Sequence, residues 1–306
     1  MLTVTFSSSG ILDAYTLELL GETNKTMYGR YRMWCALSWG AGAVGMGWLT
    51  DRFGFEWNFI LYGFMGFLSC LMIAALVPKR TMVEEQEQDE EQGKIGDLIR
   101  LFSRPRVVLF CLELILVGGA MAIVERLLFL YLVDDLGAST FLCGLSVGVT
   151  VLLELPTFWC ADWLLRWLGH DYLVAVSMLC FVVRAYGYTL LTPSTVTWVL
   201  ALEVMHGITF ACFWISVMDV TKILSQQVHG WNTTIPVLTN TIFQCVGGGL
   251  GSILGGWTMN KYGSKYMYHG ISTIMLVALV LHVMGALVVR YCGSSHCKTF
   301  LPTKNE

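Results

Sequence analysis

Gly47-Trp48-Leu49-Thr50-Asp51-Arg52-Phe53-Gly54 and Gly256-Trp257-Thr258-Met259-Asn260-Lys261-Tyr262-Gly263 are two copies of one pattern, offset by 209 positions. Gly40 and Gly42 match Gly249 and Gly251 at the same offset. Each copy closes an apolar, glycine-rich segment, and about 20 such residues suffice to cross a bilayer. An internal repeat in a chain with many spans is a construction common among secondary transporters. The spacing is uneven. About 125 residues, holding four spans, separate a central polar stretch from the segment of the second copy, whereas about 32 residues precede that of the first. The expectation is a first half cut short at its start.

Composition agrees with a membrane solvent. Of the 306 residues, 55% are hydrophobic and 13% charged, against about 25% charged in soluble chains. The mean hydropathy is +0.62. A large soluble core is excluded by segment length, because runs of 18 or more residues with few charges recur along the chain. Eight full spans are expected, near 33–50, 57–77, 107–133, 140–160, 172–191, 195–217, 235–257 and 268–289. Residues 2–20, with Ser7, Ser8, Ser9, Asp13 and Glu18, read as the end of a further helix. Eight of the ten cysteines fall inside apolar segments and read as small buried hydrophobes. Cys292 and Cys297 flank His296 beyond the last span, a place for palmitoylation rather than for a metal.

Basic residues set the expected orientation. With the 21–32 loop in the cytoplasm, Lys79, Arg80, Lys94, Arg100, Arg104 and Arg106 fall on the cytoplasmic side, as do the basic residues of both tails. The opposite face holds only Arg52, Lys261 and Lys265. The run Glu84-Glu85-Gln86-Glu87-Gln88-Asp89-Glu90-Glu91 reads as a solvated linker. After it, Ile95, Leu98, Ile99 and Leu101 alternate with Lys94, Arg100 and Arg104, the pattern of a short amphipathic helix on the membrane surface, stopped at Pro105. The expected organisation is therefore 1–78 as a remnant of a first half, 79–106 as an acidic cytoplasmic linker with an amphipathic helix, 107–290 as a six-helix second half, and 291–306 as a cytoplasmic tail.

Ionisable groups inside spans cost about 2.5–3.5 kcal/mol each at mid-bilayer on insertion scales, so they point to function. Glu113, Glu125 and Arg126 fall in one span, Glu154 in the next, then Arg184, then Glu203 with His206. Counted at 1.5 Å per residue, Glu125, Arg184 and Glu203 lie roughly 10–12 Å from one face, His206 about a turn deeper and Glu154 at roughly 20 Å. Glu203 and His206, three apart, share a helix face. A histidine beside a desolvated carboxylate is the equipment of a proton relay. A structural ion pair holding two helices in register is the competing reading for Arg184 and Glu203. Glu113 and Arg126 are read as groups that reach the interface. Gly42 and Gly47 in one copy, and Gly247, Gly251 and Gly255 in the other, are read as helix-packing positions at which the two halves could rock. Asn24 and Asn232 begin glycosylation sequons, both on the expected cytoplasmic side. His170 and Asp171 read as loop residues. No catalytic triad, P-loop, zinc spacing or nucleotide fingerprint is present, so neither an enzyme nor a cofactor-binding protein is expected.

Four stretches then carry a resemblance. They are LDAYTLELLG (12–21) with YGRYRMWCALSWGAGAVGMGWL (28–49); ERLLFLYLVDDLGAS (125–139) with GLSVGVTVLLELPTFWCADWLLRWLGH (144–170); VVRAYGYTLLT (182–192); and LEVMHGITFACFWIS (202–216). They are similar to the major facilitator superfamily, in the branch that includes lactose permease, nucleoside–proton symporters and the animal facilitator-domain-containing proteins. The resemblance implies an all-α polytopic bundle of twelve helices in two halves around an alternately opening cavity, with this chain starting late in the fourth helix. Lactose permease carries a carboxylate on helix eight, an arginine on helix nine and a histidine with a glutamate on helix ten. Glu154, Arg184 and Glu203 with His206 stand at the matching positions, the order on helix ten being reversed. What the resemblance implies is proton-coupled symport of a small polar solute, sugar- or nucleoside-like. The partners are then that solute, the proton and the bilayer, with no nucleic acid, no cofactor beyond the proton gradient, no metal, and a monomer at full length. A non-transporting receptor or scaffold is the alternative.

Overall fold

A computed structural model describes residues 28–76, 94–228, 230–231 and 234–292. The 2–20 segment, the 84–91 run, the Asn24 and Asn232 sequons and the Cys297 tail lie wholly or partly outside them. The described chain is helical, with α1 at Tyr28–Phe53, α2 at Glu56–Leu76, α3 at Ile95–Phe102, α4 at Pro105–Leu130 and α5 at Thr140–Trp159. Then follow α6 at Ala161–Thr189, α7 at Val199–Gln226, α8 at Thr234–Thr241, α9 at Gly248–Tyr262 and α10 at Ser264–Cys292. Tyr131–Asp135 extends α4 as a π-helical turn, and Ile242–Gly247 joins α8 to α9 as another. Gly169, at φ 75° and ψ 167°, kinks α6 near its start.

Seven helices among the described residues are long and apolar enough to span a membrane, running from Glu56–Ala75 to Ser264–Leu287. The chain is an integral, multi-pass membrane protein of all-α class. The remaining long helix, α1, has 26 residues but does not reach the hydropathy of the other seven. Its glycines, Trp34, Trp39, Trp48 and Ser38 dilute its apolar content, so the eighth expected span is seen as a helix of spanning length only.

The repeat is real in three dimensions. Gly54 and Gly263 both end their helices at φ 92° and 89°, a left-handed conformation in which a Cβ is strained. Their amides donate to the carbonyls of Thr50 and Met259, which are 209 positions apart, at 3.0 and 2.9 Å. Arg52 lies over the Trp48 ring at 5.6 Å and Lys261 over the Trp257 ring at 5.0 Å, again at matched positions. The packing faces differ between the copies. On α1, a Cβ at Gly47 would meet the Thr140 carbonyl oxygen at 2.5 Å, and one at Gly40 would meet Val151 at 3.0 Å, so α1 lies along α5. At the second copy, Gly247, Gly251 and Gly255 face Ile115, Gly119 and Ile123 of α4. Gly42 is exposed, with nothing within 4 Å of an added Cβ.

α4 to α10 form one bundle. α7 packs between α5 and α6, α10 lies against α6, and α4 lies against α9. One end of the bundle, here the upper end, carries the Gly54, Gly137 and Gly263 turns. The lower end carries Pro105, Gly169 and Gly230. α3 is amphipathic, but not with a single membrane-facing side. Leu98, Leu101 and Phe102 pack on Val107, Leu224 and Ile235 of the bundle, while Ile95 and Ile99 are exposed. α3 ends three residues before Pro105, which opens α4 at a position where its missing N–H is not needed. Of the cysteines described, Cys143 and Cys212 are buried, whereas Cys70, Cys160 and Cys245 are exposed.

Candidate functional site

Three of the sequence-predicted charges meet inside the bundle. Arg184 of α6 and Glu203 and His206 of α7 are 1%, 5% and 6% exposed. α6 and α7 are adjacent and antiparallel, so residues 19 apart in sequence come level across one hairpin. Arg184 Nη2 donates to both Glu203 carboxylate oxygens at 3.2 Å. Its Nε donates to the Tyr188 hydroxyl one turn along α6, and that hydroxyl donates to Glu203 Oε1. Thr150 of α5 donates to Glu203 Oε2 at 3.0 Å. Glu203 thus accepts from a guanidinium and two hydroxyls, the arrangement that a buried carboxylate needs to remain charged. Buried in this way, the group is high-stakes: complete it is stable, and missing any member it strands a charge.

His206 is fixed in its neutral form. Its Nδ1 faces Arg184 Nη1, which can only donate, so Nδ1 must accept and the ring proton sits on Nε2. The ring stacks on Phe210, and Phe210 on Trp214. Glu203 and His206 share one face of α7, as their spacing of three implies, and both turn towards Arg184.

Glu154 is half-buried on α5, one turn below Thr150, at the α5–α7 crossing. A Cβ on Gly207, the residue after His206, would meet the Glu154 amide nitrogen at 2.6 Å. Glu125 stays outside the hydrogen-bonded group. It is exposed on α4, within electrostatic reach of Arg184, Arg126 and Glu203. Arg126 does not snorkel away: its Nη1 donates to Ser252 of α9 at 2.6 Å and to the Gly248 carbonyl at 3.4 Å.

Several participants carried no sequence signal of their own. Thr150 looks like an ordinary helix residue until the partners of Glu203 are known, whereas Tyr188 is one of the aromatics near the charges and stands four residues from Arg184. Tyr131 and Tyr268 close the group from above, their rings 5.3 Å apart and the Tyr268 ring 5.2 Å from that of Tyr188. Tyr131 donates to the Tyr188 carbonyl at 3.0 Å. The Tyr268 hydroxyl is buried without a hydrogen-bond partner among the described residues. Among those residues no group of three or more His, Cys, Asp or Glu could hold a metal.

The model of the MFS_1 like family matches residues 3–270. The chain belongs to that family, and so to the major facilitator superfamily. It is similar to major facilitator superfamily domain-containing protein 6-like protein A of Xenopus laevis, at 20% identity over 279 residues, covering 88% of this chain and 44% of that protein. Protein B of the same organism matches at 20% identity over 279 residues, covering 43% of its length. The chain spans less than half the length of these relatives. Family membership points to membrane transport.

Proposed function

We propose that this member of the MFS_1 like family acts in a secondary transporter that couples movement of a small polar solute, sugar- or nucleoside-like, to a proton by alternating access. The observation that carries the reading is the buried Arg184–Glu203–His206 group with its two hydroxyl partners, an expensive arrangement inside an apolar bundle. Arg184 is shared between a carboxylate and a neutral imidazole. A solute hydroxyl or carbonyl that draws Arg184 away frees Glu203 to accept a proton and lets the bare Nδ1 of His206 do the same. Loading solute and loading proton are thereby linked. Glu154, next to His206, and Glu125, on the open face of α4, complete the set of polar groups that solute meets. The glycine crossings let α1 and α9 pivot on α5 and α4. In this reading 1–78 belongs to one half and 107–290 is the other. The lower end, the 79–106 linker and the 291–306 tail are cytoplasmic, and the branch is that of the proton symporters.

The test is uptake of labelled hexoses and nucleosides by the full-length protein in proteoliposomes under an imposed pH gradient. Glu203→Gln abolishes gradient-driven accumulation. Accumulation that persists in Glu203→Gln with the same dependence on the gradient overturns the assignment.

A further inference from the structure

At the lower end of the bundle a second polar group occupies a place that the sequence pattern did not disclose. His282 of α10 reaches across to α4 and α6. Its Nδ1 lies 2.7 Å from Glu113 Oε1, and its Nε2 lies 3.0 Å from the Asp171 carbonyl oxygen. The imidazole is 9% exposed and the Glu113 side chain 28%. Both nitrogens therefore face acceptors. With Glu113 ionised, a neutral imidazole carries one N–H and can satisfy only one of them, leaving a lone pair against an oxygen. The imidazolium satisfies both. This is the reverse of His206, whose Nδ1 faces a donor.

The pair lines a cavity of about 420 Å³ between α4, α6, α7 and α10. Its walls are mostly apolar, with Phe110, Val174, Phe213 and Val217 among them. Leu109 and Leu112 of α4 and Leu281 of α10 form exposed lips. The other charged or titratable groups that face it are Arg106 of α4 and His170 and Asp171 of α6. His170 in turn lies 3.7 Å from Asp171 and 3.7 Å from Asp219 of α7.

We infer that Glu113 and His282 form a proton-binding site, separate from the Arg184 group, in which the bound proton ties α10 to α4 and α6. Binding converts imidazole to imidazolium. Release leaves one ring nitrogen bare against an oxygen, so that contact opens and the α4–α10 edge of the cavity loosens. With Glu113 ionised the acceptors are a carboxylate and a carbonyl, so the tie is made at low pH and undone as pH rises. Its use in a transport cycle rests on the proton-coupled reading above. Its existence does not.

The experiment is nitrogen-15 NMR of the histidine side chains of the full-length protein in lipid nanodiscs, from pH 5 to pH 9. The resonance of His282 is identified by its loss in His282→Gln, or in His282→Asn should the first variant fail to fold. Expected is a ring with both nitrogens protonated at pH 7, and a titration midpoint that falls by at least about one unit in Glu113→Gln while staying unchanged in His206→Gln. A His282 ring with a single N–H at pH 7, or a midpoint indifferent to Glu113→Gln, overturns the site. Should His282 titrate as expected while uptake ignores the pH gradient, the site stands and the proton-coupled reading falls.

Discussion

Two tyrosines in the buried group distinguish hydrogen bonds that matter from hydroxyls that are merely enclosed. Tyr188 accepts from Arg184 and donates to Glu203. Its guanidinium partner also lies 5.5 Å from the ring centre. Tyr188→Phe removes a donor and an acceptor from two buried charges, and a hydrogen bond to a charged group contributes about 1.5–3 kcal/mol. Tyr268→Phe removes a hydroxyl with no partner among the described residues, a change that is nearly neutral or stabilising. Thermal unfolding of the purified protein should therefore fall clearly for Tyr188→Phe and hold or rise for Tyr268→Phe. Equal losses would mean that Tyr268 has a partner the geometry does not reveal. The sequence made Arg184, Glu203 and His206 legible because intramembrane charge is rare and helical depth can be counted. It could not reveal which of them share a hydrogen bond. That depends on helix rotation, and a turn of a few tens of degrees decides whether Glu203 and His206 both face Arg184. Glu113 was misread for the same reason, since its partner His282 lies 169 residues away on α10.

Helices here approach through missing side chains, and the repeat overstates how alike its two copies are. A Cβ at Gly251 would stand 2.2 Å from the Gly119 carbonyl oxygen, backbone that cannot swing aside, whereas one at Gly256 meets nothing within 4 Å. Gly251→Ala should cost about 1–3 kcal/mol by overpacking, and Gly256→Ala should be neutral, both read as the loss of folded protein on heating in detergent. A Gly251→Ala protein as stable as the parent would show that α4 and α9 do not cross at this point. The eight glycine-rich and apolar segments were readable from periodicity and length. The packing face was not, because Gly42 and Gly47 are indistinguishable in sequence and only one touches α5. At the upper end, Asp51 gives the crossing of α1 and α5 a polar lock. Its carboxylate accepts from the Thr140 hydroxyl and amide and from the Phe141 amide at 2.9 Å, capping α5 from another helix. The Thr140 hydroxyl and the Phe141 amide hold that carboxyl below the ordinary value of 3.8. A depressed folded value means stability that is present above the unfolded value and lost as pH falls through the folded one. The melting temperature of the parent should exceed that of Asp51→Asn at neutral pH, and the gap should close as pH drops below about 4. A gap that is the same at pH 3 and pH 6 would assign the loss to packing and not to the charge.

For the molecule as a whole, the distribution of charge decides how the bundle sits in its membrane. The upper end offers Arg52, Lys261 and Lys265, and two of these are drawn onto tryptophan rings, Arg52 onto Trp48 and Lys261 onto Trp257. Such pairs suit the headgroup layer, where an amphipathic ring and a snorkelling cation share an interface. The lower end carries Arg100, Arg104, Arg106, Arg166 and Lys222, with Arg104 tied to Gln227 at 2.6 Å so that α3 and the start of α4 are held near the end of α7. Retention of basic loops on the cytoplasmic side acts during insertion and depends on where lysine and arginine fall, not on net charge, which is −3 for the chain. Both the 84–91 run and the residues after Cys292 should therefore meet the cytoplasm. In sealed microsomes, whose cytoplasmic face is outward, added protease should cut a site placed in the 84–91 run and remove a tag placed after Glu306 without detergent. Protection of both would invert the orientation. Protection of one alone would require an odd number of crossings between the linker and the tail, in conflict with the six spans from Pro105–Asp135 to Ser264–Leu287.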